Sequence, residues 1–198
     1  MDDLELSQEA QDLLTRLESA AFGVALHPQA EAWLPQLDVT LKTVQEEHRT
    51  WRRAVARGFA VGRRRDYDDQ QQSEAVLRLV RAVREVPEEK ASALTRALVT
   101  EIAADGIGPF LGDAPGMAGL VARLRTESRW TEHADALERT HRTAQRSRRE
   151  REELYPVEAE AQSALRSRLF DVQRGLRWVA TRLTIELDDE ALVRSILG

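Results

Sequence analysis

The sequence predicts an all-α protein: a tandem pair of four-helix units, each running short, long, long, short. Three observations carry this reading. Apolar residues recur at alternating steps of four and three in Leu37, Leu41, Val44, His48 and Trp51, and again in Trp130, Ala134, Leu137, His141 and Ala144. That spacing is the seam of one helix packed on another, as in a coiled coil. The composition is 42% hydrophobic but only 5% aromatic, with 32% charged residues; this favours helices with aliphatic seams over a β-protein. The two seams also match. His141 stands 93 residues after His48, and Arg-Thr follows each histidine.

Taken in order, Ser7 is placed to cap a short helix over about residues 8–21, with Ala10, Leu13, Leu14 and Leu17 on one face and Gly23 as its stop. After a loop with Trp33 and Pro35, the long seam helix is expected over about 35–61. Gly62 and the charged tip Arg63-Arg64-Arg65-Asp66 are expected to turn the chain. A return helix over about 68–86 then places Val76, Leu79, Val83 and Val86 inward. Pro87 breaks it, a further helix covers about 88–104, and Gly106 is a C-terminal stop.

Residues 106–116 are the one Gly/Pro-rich stretch and read as a linker. The order then recurs: a short helix with Met117, Leu120, Val121 and Leu124 inward, a long helix from about 131, a turn at Tyr155-Pro156, and a second long helix over about 157–183. Asp188 or Asp189 caps a last helix with Leu192 and Ile196. The expected domains are therefore 1–105, a linker at 106–116, and 117–198.

Internal repetition orders all of these elements. The offset of 93 carries Val76, Leu79, Val83 and Val86 onto Leu169, Val172, Leu176 and Val179. The short helices match at an offset of 107, Ala10, Leu13, Leu14 and Leu17 falling on Met117, Leu120, Val121 and Leu124. A pseudo-twofold pairing of the two units would bury more apolar surface than either alone.

Composition also bounds function. With no Cys, the chain has no disulfide, no Cys-based metal site and no thiol catalysis, and a cytoplasmic location is expected. The first residues, Met1 to Glu5, are acidic and do not carry the pattern of a secretory signal; no run is long enough to cross a bilayer. A net charge of −5 argues against general binding of polyanions.

Three residue sets could carry a function. Trp33, in the longer loop of the first repeat, and Trp178, beside the seam at Val179, could anchor a partner protein, although burial in their own unit is the plainer reading. Arg49, Arg53 and Arg57 form a stripe at steps of four, with Arg52, Arg63, Arg64 and Arg65 nearby, and such a stripe could contact nucleic-acid phosphates. Glu138 and His141 share a helix face as Glu-x-x-His, and with His48 they could hold one metal ion. The matching position in the other half is Gln45, a poor metal ligand, so two seam histidines fixing helix register are the plainer reading. No catalytic constellation and no cofactor motif stands out, and no cofactor is expected. The expected function is therefore that of a non-enzymatic helical adaptor, regulator or assembly subunit. It would bind another protein through helix faces, with homodimerisation as an extension of the same seams; the alternatives are a nucleic-acid-associated protein using Arg49 to Arg65 and a metal- or proton-responsive bundle using His48 and His141.

Overall fold

In the computed structural model, residues 3–28, 30–106 and 114–197 are described. They are all-α, with no strand among them. The helices are α1 (Asp3–Leu26), α2 (Leu34–Arg84), α3 (Ala93–Asp105), α4 (Ala114–Leu124), α5 (Thr131–Leu187) and α6 (Glu190–Leu197). Short 3-10 turns, Glu31–Trp33, Glu88–Lys90 and Ser128–Trp130, precede α2, α3 and α5. No helix among the described residues is long and apolar enough to cross a membrane.

The main correction concerns the two expected turns. Gly62 and Arg63 to Asp66 lie inside α2, and Tyr155 and Pro156 lie inside α5. The seams explain why. From Leu37 to Val83 every residue at alternating steps of four and three is buried or half-buried, including Gly58, Gly62, Arg65, Asp69 and Gln72. The same steps run from Ala134 to Leu183 in α5, with Tyr155 the exposed exception. A heptad seam that never slips keeps a helix against its partner even where its residues turn polar. Two of those polar residues find partners on α5: Arg148 donates to Asp69 through Nε at 2.9 Å, and Gln72 and the His141 ring share a hydrogen bond of 3.1 Å; beside the seam, the exposed Arg64 lies 3.8 Å from Glu150. Pro156 lacks the N–H that would reach the carbonyl of residue 152, and it sits at an exposed position of α5.

The chain divides into two compact units whose bounds differ from the expected ones: 1–57 with 154–198, and 58–153. Each long helix gives one end to each unit. In the first unit, Leu6, Leu13 and Leu17 of α1 pack with Leu37, Val44 and Trp51 of α2 and with Leu165, Leu169, Val172, Val179 and Leu183 of α5. Val193 of α6 closes this core, and Asp189 caps α6 by accepting from the Leu192 N–H at 2.9 Å. In the second unit, Val76, Leu79 and Val83 of α2 pack with Leu98 and Ile102 of α3, Met117, Leu120 and Leu124 of α4, Trp130 of the turn before α5, and Leu137 of α5. Ser92 caps α3 by accepting from the Thr95 N–H at 3.0 Å and donates to Glu127 at 2.9 Å. Arg123 of α4 makes a forked pair with Glu101 of α3.

Smaller differences follow from the same packing. Helix α1 starts before Ser7 and runs past Gly23, because Ala20 and Val24 extend its buried face. Of the expected linker, residues 107–113 lie outside the described residues, whereas Pro115 and Gly116 belong to the first turn of α4. Gly106 ends α3 as expected, with φ of 68° and its N–H on the Ile102 carbonyl.

Candidate functional site

The first unit carries a groove of about 320 Å³ between the start of α2 and residues 168–179 of α5. Its floor is seam: Leu37, Val172, Leu176 and Val179. Its α2 wall is Gln36, Val39, Thr40 and Thr43. Both threonine hydroxyls donate to carbonyls one turn back, Gln36 and Val39, at 2.8 Å, so their donors are already engaged. Gly175 leaves the trough open, since a Cβ there would meet nothing within 4 Å.

The two tryptophans read from the sequence as separate anchors meet at this groove. Trp33 and Trp178 pack edge to face, with ring centroids 5.6 Å apart and planes at 67°. Trp178 remains 53% exposed, which a tryptophan serving only the core would not be. The Arg182 guanidinium lies over the Trp178 ring at 5.7 Å. On either side, Phe170 and Ile185 continue the exposed apolar ridge of α5 at steps of eight and seven from Trp178. Trp51 and Trp130, by contrast, are buried in the two cores, as their seam positions predict.

Sequence reasoning missed Arg168. It lines the groove, and its Nε is buried with no hydrogen-bond partner. The available signal was local charge: residues 166–182 hold five arginines and one acid, Asp171, in a chain of net charge −5.

The histidines occupy seams of different units. His48, 7% exposed, stacks on Trp51 at 5.8 Å, and its Nε2 has no partner. His141, also 7% exposed, is tied to Gln72, and its Nε2 is likewise unpartnered. Glu138 is engaged by Arg125 and Arg142. Among the described residues no three His, Asp or Glu side chains group to hold a metal ion.

Burial, and then the nearby Arg52 charge, lowers the His48 pKa; burial, and then Arg148, lowers that of His141. A histidine kept neutral in the fold contributes stability above its unfolded pKa of about 6.5, and that stability is lost as pH falls through the lowered folded value. The melting temperature is therefore expected to hold above about pH 7 and to fall below about pH 6.5. The double variant His48→Gln, His141→Gln should flatten that fall. An identical acid-side profile in the double variant would assign the fall to other groups.

The arginine stripe is exposed. Arg49 lies 3.8 Å from Glu46, Arg64 pairs loosely with Asp68 and Glu150, and Arg65 donates to Asp66. Arg52, Arg53 and Arg57 in the first unit and Arg63 in the second are exposed and form no ion pair among the described residues. Comparison of the chain with protein-family models, with characterised proteins and with solved structures finds no match.

Proposed function

We propose that this chain is a non-enzymatic, all-helical interaction protein that seats a segment of another protein in the Trp33–Trp178 groove. The observation that carries the reading is a half-exposed tryptophan held edge to face by a second one above an apolar floor. Interface hot spots are enriched in tryptophan and arginine set in such pockets. A trough between two helices suits a third, amphipathic helix. The lining supports this, since Gln36, Thr40 and Thr43 of α2 and Arg168, Val172, Gly175 and Val179 of α5 recur at helical steps.

The test begins with a partner recovered by affinity purification and then titrated directly against the purified chain. Trp178→Ala is expected to cost about 2 kcal/mol or more of binding, roughly thirtyfold in Kd. Gly175→Leu should block the trough while improving local helix propensity, so its melting temperature should not fall. Equal affinity in all three proteins would remove the groove from the account.

A finer architectural reading belongs with this proposal. The two cores are read as copies of one helical module, because residues matched at the 93-residue offset serve equivalent seams: Val76 and Leu79 in one core, Leu169 and Val172 in the other. A second functional reading, nucleic-acid association, is favoured by the exposed Arg52, Arg53, Arg57 and Arg63, which form no ion pair among the described residues. It predicts retention of labelled DNA or RNA at low salt that weakens steeply as salt rises and vanishes in the combined Arg49→Glu, Arg53→Glu, Arg57→Glu protein.

A further inference from the structure

We infer that the groove takes an acidic amphipathic helix, one carboxylate of which pairs with Arg168 while its apolar side chains lie on Leu176, Val179 and the Trp178 ring. The inference rests on the groove being a partner site and names the chemistry of that partner.

Arg168 is the starting point. A guanidinium carries five N–H donors and no acceptor, and it cannot shed its charge. Here its Nε is buried at the groove without a partner. That Nε is shielded from the groove, so a ligand carboxylate would meet the rest of the half-buried guanidinium, which none of the described residues engages, in a charge-assisted pair. Asp171, the one acid in the lining, leaves that Nε unpaired. The surroundings point the same way. The stretch 166–182 is strongly basic within an acidic protein, and Arg182 sits on the very tryptophan that walls the groove. Complementary charge of this kind steers and selects partners.

The rest of the groove argues for a peptide over a polynucleotide. Its α2 wall contains no basic residue, and its floor is aliphatic. The two indoles meet edge to face and do not offer parallel platforms for stacked bases. From Arg168 to Val179 a helix rises about 16 Å, enough to lie beside three turns of a partner.

The experiment selects random helix-forming peptides of about sixteen residues, displayed on phage, on the full chain, with the Gly175→Leu protein as counter-selection. The recovered peptides are expected to be rich in Glu and Asp on one flank and in Leu, Phe or Trp on one face. For the best peptide, Arg168→Gln should weaken binding about tenfold, and the same peptide with Gln for its acids should bind both proteins equally. Arg168→Lys should retain part of the affinity, which separates lost charge from lost packing. Circular dichroism and melting of each variant check that the fold is intact. Groove-dependent peptides without acids, or peptides indifferent to Arg168→Gln, would overturn this inference and leave the groove as a partner site. Recovery of no groove-dependent peptide would overturn both. Saturable binding of an oligothymidylate in competition with the peptide would replace the acidic helix by nucleic acid as the occupant.

Discussion

Leu137→Ala is expected to lower the stability of the chain by about 2–5 kcal/mol. Leu137 is fully buried in the second core, to which α2, α3, α4 and α5 all contribute. Truncation removes three carbons, a methine and its two methyl groups, and leaves a cavity, because neighbours on continuous helices relax only partly into the space. The matched control is Leu77→Ala on α2, where the leucine is 38% exposed and a change within about 0.5 kcal/mol is expected. Urea denaturation followed by circular dichroism measures both, through the midpoint at constant slope. Similar small shifts in the two variants would mean that Leu137 does not belong to a close-packed core.

The second large effect is at Gly62. Gly62→Pro is expected to cost about 3 kcal/mol or more, because position 62 lies in the interior of α2. Proline there removes the N–H bond to the carbonyl of residue 58 and its ring collides with that carbonyl. Gly62→Ala should do the opposite and add about 0.5–1 kcal/mol. There is room for the methyl group, since the nearest atom to a Cβ would be Arg151 Nε at 4.0 Å. A turn at this place would reverse the order, tolerating proline and resisting alanine. The pair of variants thus separates a continuous helix from a hairpin by the sign of two melting shifts.

The seams themselves were legible in the sequence. Leu37, Val44 and Trp51, and likewise Leu165, Leu169 and Val172, occupy the buried positions their spacing predicts. The turns were not. Reading along the chain, the seam of α2 passes from Val55 through Gly58, Gly62, Arg65, Asp69 and Gln72 before it becomes aliphatic again at Val76. Such a run has the composition of a turn, and Pro156 in α5 sends the same signal. What keeps the helices going is pairing with residues remote in sequence, Arg148 for Asp69 and His141 for Gln72, which local pattern does not reveal. The candidate site divides in the same way. The place of Trp33 in a loop and of Trp178 beside a seam marked them as possible anchors, but their meeting depends on which part of α5 lies against the start of α2. Arg168 stands one place before the seam residue Leu169, and nothing in its neighbours announces an unpaired donor.

The division of the chain between its cores sets an order of events during synthesis. All the side chains of the second core lie between Ala75 and Leu137, whereas the first joins residues 6–51 to residues 165–193. As translation proceeds at about 5–20 residues per second, the inner block is complete while the opening segment still lacks its counterpart. The apolar face of Leu6 to Trp51 therefore waits, uncovered, for roughly 5–25 s after leaving the ribosome. During that interval it exposes the kind of apolar surface on which chaperones act, and a chain cut after residue 150 is expected to carry one finished core and one stranded arm.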